Sequence, residues 1–211
     1  MSKNPTVLIT GFPPFPGAPM NPTERLIETL QPADLNHLCD LRLGVIPVDY
    51  GLVGDALNEL AKVHQPDIII NFGLAAEATG IRLERIARNE VAPNRADNSG
   101  KAPSVKTICE GDAVLRSGLP LEQIASELMA NDLPVQWSDD AGGYLCNYIF
   151  YLGRAGHCPD VKTDISGFIH VPLLAKERGY NSDGQLLITE ADLLTAATIV
   201  IEQSVKAYRK T

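Results

Sequence analysis

Short unbroken apolar runs alternate along the chain with stretches whose apolar residues recur every three or four positions. This alternation predicts an α/β domain. Thr6-Val7-Leu8-Ile9-Thr10 is continuous rather than strictly alternating, which predicts a strand covered on both faces. Leu41 to Val48 reads as a second strand, and Asp67-Ile68-Ile69-Ile70-Asn71-Phe72-Gly73 as the most strongly buried one. Between them, Asn21-Pro22-Thr23-Glu24 opens a helix: Asn21 caps it, Pro22 suits its first turn, and Glu24 favours its positive end. Leu52, Ala56, Leu57, Leu60 and Ala61 carry a helical period over Gly51 to Val63, and Pro66 ends it.

Ile81 to Asn89 is predicted as one strand, with Arg82, Glu84 and Arg88 on a single polar face. Residues 90–118 are rich in Asn, Asp, Ser, Gly and Pro and read as a long loop with room for a small hairpin. A helix over Pro120 to Asn131 and a short strand over Pro134 to Ser138 follow. Tyr144 to Leu152 is predicted as a helix entered from Gly142-Gly143, and Gly167 to Val171 as a strand stopped by Pro172. The last element is a helix over Thr189 to Arg209, with Thr189 and Asp192 in capping-box positions.

At 211 residues, with no repeat or linker-like stretch, the chain is expected to form a single domain over 1–211. Its net charge of −8 disfavours a nucleic-acid partner. No apolar run approaches the about 18 residues that a membrane span needs. The N-terminus lacks an export-type apolar stretch, so a cytoplasmic location is expected. In that setting Cys39, Cys109, Cys146 and Cys158, none in a CxxC pair, read as free thiols.

Cys146 stands out among them because it follows Ala141-Gly142-Gly143 in the first turn of a predicted helix. A helix N-terminus favours a thiolate, and glycines let backbone N–H groups approach an oxyanion. The plainer reading is a small buried hydrophobe, as most free cysteines are. His170, near the end of an apolar strand, is either a satisfied core histidine or a general base. Glu84, in an apolar frame, needs a partner, and His170, Arg82 and Arg88 all qualify. A metal site from His157, Cys158 and Cys146 lacks any familiar ligand spacing. The Asp139-Asp140 pair reads as a solvated turn that feeds the glycines. After the first strand, Gly11-Phe12-Pro13-Pro14-Phe15-Pro16-Gly17-Ala18-Pro19 is a stiff segment whose two phenylalanines could wall an apolar pocket. The alternative is a PxxP ligand for a peptide-binding partner. No GxGxxG or P-loop motif supports nucleotide chemistry.

Taken together, ITGFPPFPGAPMNPT at 9–23, NFGLA at 71–75, LERIARN at 83–89, DAGGYLCNYIFY at 140–151 and GFIHVPLL at 167–174 resemble the pyroglutamyl peptidase I family. The resemblance runs from Leu8 to about Leu174 in matching order. It implies a three-layer α/β/α fold with a central mixed, mostly parallel sheet. It places the family's glutamate, cysteine and histidine on Glu84, Cys146 and His170. It assigns Phe12 and Phe15, with Tyr144 and Leu145 just before the cysteine, to an apolar pocket for the pyrrolidone ring. Two departures stand out. The family's arginine, within a stretch like DDARIPDN, falls on Asn94, with Arg95 one residue later, so Arg95 either takes over its work or the work is lost. The residues after NFG also differ from the family's Gln-Ala-Gly-Gly-Arg.

The activity implied is removal of N-terminal pyroglutamate from peptides by a Cys-His-Glu cysteine peptidase, without metal or organic cofactor. The resemblance further implies a homo-dimer or homo-tetramer. Two other readings fit the same scaffold: a thiol amidase for another small lactam or acyl group, and a non-catalytic protein that binds a small ligand.

Overall fold

In the computed structural model, residues 4–15, 18–31, 33–175 and 188–211 are described; Pro16 and Gly17 of the proline-rich segment lie outside them. Strand β1 (Thr6–Gly11) is buried at all its positions, as its unbroken apolar run predicts. It lies between β2 (Asp40–Val45) and β3 (Ile68–Leu74), parallel to both. Strand β8 (Ser166–Val171) continues the parallel set beside β3. Then the direction reverses: β4 (Ile81–Glu84) pairs antiparallel with β8, and β7 (Val135–Ser138) closes the edge parallel to β4. The order β2-β1-β3-β8-β4-β7 makes a mixed, mostly parallel sheet of six strands.

Side chains on these strands alternate between two apolar cores. Val7, Ile9, Ile68, Ile70, Ile169 and Val171 face helices α1 (Pro22–Leu30), α3 (Leu121–Ala130) and α5 (Glu190–Tyr208). Leu8, Ile69 and Phe168 face α2 (Val53–His64) and α4 (Leu145–Arg154). Helices thus cover both sides of the sheet. The caps expected from sequence are present: the Asn21 side chain accepts from Thr23 N–H, and Thr189 with Asp192 closes a capping box.

The segment 81–89 departs from the single strand expected. It breaks at Arg85, whose N–H donates to Ser138 O at 2.8 Å. The chain then leaves the main sheet as β5 (Ile86–Arg88), which pairs antiparallel with β6 (Val114–Arg116) in a separate ribbon. Arg88 therefore does not share a sheet face with Arg82 and Glu84; its Nε donates to Asp139 O. No helix among the described residues is long and apolar enough to cross a membrane.

This topology fixes where a cleft can form. Helix α1 follows β1 onto one face of the sheet, and α2 follows β2 onto the other. At such a reversal the carboxyl ends of neighbouring strands leave a crevice, the usual ligand position in open α/β sheets.

Candidate active site

A cavity of about 420 Å³ opens at the carboxyl ends of β1, β3 and β8. Phe12 and Phe15 reach it from the segment after β1, Val48 from beyond β2, Leu74 from the end of β3, and Ala75 to Glu77 from the loop that follows. His170 reaches it from β8, and Tyr144, Leu145 and Cys146 from the start of α4. Arg82 and Arg95 complete the charged lining, with Asp140 on the turn before α4.

The antiparallel junction between β8 and β4 creates the buried polar pair. His170 is registered opposite Arg82, and Leu83 opposite Ile169, so Glu84 lies one step deeper on the same face as His170. Diagonal neighbours on one face of a sheet lie within reach of long side chains. Here His170 Nδ1 and Glu84 Oε1 are 2.7 Å apart, with their side chains 5% and 0% exposed. This settles the partner of Glu84: the arginines at 82 and 88 make no ion pair with it among the described residues. Burial by itself lowers the His170 pKa, but charge on Cys146 and a hydrogen bond to it, joined by the hydrogen bond and charge of Glu84, raise it to about 9. With Nδ1 committed to Glu84, the other ring nitrogen is the one left for Cys146.

Cys146 is the second residue of α4, and the local sequence explains its presentation. Gly142 holds a φ of +81°, which L side chains rarely adopt, so the turn into the helix depends on it. No side chain caps the helix start, and the first-turn N–H groups have no partner within the helix. Asn147 pins the same turn: its amide donates to Arg88 O and Glu90 O and accepts from Arg88 N–H. The other three thiols do not line the cavity. Burial pushes Cys39 and Cys158 up to about 11 and raises Cys109.

Gly73 is a site residue that sequence reasoning treated only as part of a matching segment. It is registered beside His170 in the sheet. A Cβ built there would sit 2.8 Å from Cys146 Sγ and 2.6 Å from the Phe168 ring. The missing side chain therefore makes room for the thiol. No local signal could have shown this, because the three residues meet only in the folded chain.

The aromatic end of the cavity is a stacked cluster. Phe12 packs on Phe168, and Phe15 on Tyr144, with ring centroids 6.4 and 6.1 Å apart. Tyr50, absent from the sequence reading, meets Tyr144 edge-on at 5.8 Å. Above Tyr144 lies Arg95, its guanidinium carbon 4.1 Å from the ring centroid, in a residue otherwise exposed. The loop that carries Arg95 is anchored at several points. Ala92 N–H donates to Gly143 O, Tyr144 OH to Ala96 O, and Asn98 N–H to Val48 O. Asp97 is buried, which alone would raise its pKa, but hydrogen bonds from Tyr50, Ser99 and Lys101 hold it below the usual carboxylate range. Asp139 forms a bidentate contact with Arg85 and Asp140 accepts from Gly142 N–H, so the acidic pair shapes the turn before α4. No group of three or more potential metal ligands occurs among the described residues.

The arrangement brings together a thiol at an uncapped helix start, an imidazole and an orienting carboxylate, beside an apolar aromatic wall. Comparisons with known proteins point the same way. A family model described as pyroglutamyl peptidase matches residues 5–206. A pyrrolidone-carboxylate peptidase of Oceanobacillus iheyensis is 41% identical over 169 residues, covering 79% of this chain and 83% of that protein. One from Pyrococcus furiosus is 36% identical over 172 residues, covering 81% and 82%. Among solved structures, pyroglutamyl peptidase I of Bacillus amyloliquefaciens superposes with a TM-score of 0.85 at 29% identity, covering 97% of this chain and 98% of that one.

Proposed function

Because this chain belongs to the pyroglutamyl peptidase family, whose members are cysteine peptidases that remove N-terminal pyroglutamate, we propose that its own reaction runs through Cys146, His170 and Glu84. The bond of His170 to Glu84, in the cavity that Cys146 also lines, is the observation that carries this assignment.

His170 takes the proton of the Cys146 thiol, and the hydrogen bond and charge of Glu84 favour the protonated ring. A pyroglutamyl terminus has no α-ammonium group, so its ring suits the apolar wall of Phe12, Phe15 and Tyr144, with Leu145 beside the thiol. Cys146 Sγ attacks the pyroglutamyl carbonyl. The free N–H groups at the start of α4 receive the oxyanion, and Arg95 adds positive charge from the cavity wall. His170 gives its proton to the leaving amine as the C–N bond breaks. It then takes a proton from the water that hydrolyses the thioester, and Sγ is released. Glu84 holds the ring in place and stabilises its charged form throughout.

A panel of fluorogenic amides tests the reading. Pyroglutamyl amide should be cleaved with accumulation of an acyl-enzyme, and the alanyl, prolyl and leucyl amides should not be. Cys146→Ala should abolish acyl-enzyme formation in a folded protein, while Cys39→Ala, Cys109→Ala and Cys158→Ala should retain it. Near-normal turnover by Cys146→Ala would overturn the mechanism.

A further inference from the structure

The cavity has two chemically distinct ends, and the strand order keeps them apart. Phe12 and Phe15 follow β1, whereas Arg82 lies on β4, and β3 and β8 run between them. With strands spaced about 4.8 Å apart, three steps put these ends roughly 14 Å from each other. His170, on β8, stands in the middle with Cys146 above it. Once the pyrrolidone ring fills the aromatic end and its carbonyl meets Cys146, the residue after pyroglutamate extends toward β4.

Arg82 is the charge waiting there. It is registered opposite His170 and shares the face that carries His170 and Glu84. It is partly buried, yet its side chain makes no hydrogen bond or ion pair with any described residue. Nearby arginines behave otherwise: Arg85 and Arg88 bond Asp139, and Arg154 bonds backbone carbonyls. Glu77 lines the same end but is exposed on the loop after β3 and makes no ion pair with Arg82. A guanidinium taken partly out of water with no acceptor is unfavourable, and a carboxylate is the partner that its planar fork matches best.

We propose that Arg82 receives a carboxylate on the residue that follows pyroglutamate. That carboxylate is either the free C-terminus of a pyroglutamyl dipeptide or an acidic side chain in a longer peptide. This inference rests on the peptidase reading of the same site. It makes Arg82 a specificity-determining residue on the leaving side, separate from the aromatic wall that selects the ring.

Four substrates test it: pyroglutamyl-alanine, its C-terminal amide, pyroglutamyl-glutamate amide and pyroglutamyl-glutamine amide. In the wild type, kcat/KM should favour the acid over the neutral match by about five- to tenfold in at least one pair, the scale of a charge-assisted hydrogen bond at a partly exposed site. The pair that responds identifies the source of the carboxylate. Arg82→Gln should bring that ratio close to one, and Arg82→Lys should keep part of it. Equal rates within both pairs in the wild type, or a preference that survives Arg82→Gln, would overturn the proposal. Turnover of the two neutral amides reads the peptidase activity on its own, so failure there is failure of the underlying reading instead.

Discussion

The two faces of the central sheet are built from the same strands yet do opposite work. On β8, Ile169 and Val171 point into the core beneath α1, α3 and α5, while Phe168 and His170 point toward α4. On β4, Ile81 and Leu83 join the first core, and Arg82 and Glu84 take the second side. The first face is packed with aliphatic side chains. The second carries a buried acid, a buried imidazole and a thiol, each placed by a partner from elsewhere in the chain. Both faces bury an apolar core, but at the β4–β8 junction only the second gives up apolar packing for chemistry. Strand alternation is what lets consecutive residues divide these duties.

Two substitutions should separate the faces. The larger effect is expected from Glu84→Gln, which keeps the shape of the side chain and removes its charge. Without that charge the imidazolium loses stabilisation and orientation, and kcat should fall by about 10²-fold or more. The pH profile gives the sharper reading. The His170 pKa is raised from 6.5 to about 9, so the protonated pair stabilises the fold fully below about 6.5. That contribution is lost as pH rises through about 9. Wild-type kcat/KM should fall over the same alkaline range, and Glu84→Gln should move that limb to lower pH. An unmoved limb would mean that Glu84 does not act through His170.

Ile169→Ala, one residue from His170 but on the opposite face, should instead cost stability. Ile169 is fully buried, and truncation of such a side chain typically costs about 2–5 kcal/mol. Denaturant melts should show this loss, while active-site titration should find turnover per folded molecule within about twofold of wild type, since surface and core substitutions away from a site act mainly on folding. A drop in turnover as large as that of Glu84→Gln would show that the two faces are not independent.

The sequence made one face far easier to read than the other. Aliphatic runs announce β1, β3 and β8 because a strand covered on both sides needs apolar residues throughout. The Asn21 cap and the Thr189–Asp192 box follow from local residues in the same way, whereas the three-layer order was implied by the family resemblance. Glu84 was visible as a carboxylate in need of a partner, but its choice of His170 depends on an antiparallel register between segments 86 residues apart. Periodicity also missed the break at Arg85, because the pattern of 81–89 is compatible with one strand; the backbone bond to Ser138 O is a tertiary contact. Gly73 was hidden for the same reason, its meaning set by Phe168 and Cys146.

The loop at 92–101 joins the two kinds of region, and it sets the smallest effect. The family resemblance puts its arginine position on Asn94, so the question is whether Arg95 can serve from one residue later. In a strand that shift would turn the side chain to the other face, but here the backbone turns at 92–95, with Arg95 N–H directed at Ala92 O. Asp97 then fixes the far side of the turn through Tyr50, Ser99 and Lys101. The guanidinium ends on the face of Tyr144, two residues from Cys146, and lines the same cavity as the thiol. Its charge is partly screened by water, because the residue is exposed. It should therefore contribute less than a buried oxyanion donor. Arg95→Ala is expected to lower kcat by about tenfold, roughly 1.4 kcal/mol, with a smaller change in KM, since the charge it answers grows mainly in the transition state. Arg95→Lys should recover part of the rate by restoring the charge, but not the flat stacking on Tyr144. A change confined to KM would instead make Arg95 a lid over the ring pocket, with the N–H groups at the start of α4 as the oxyanion donors.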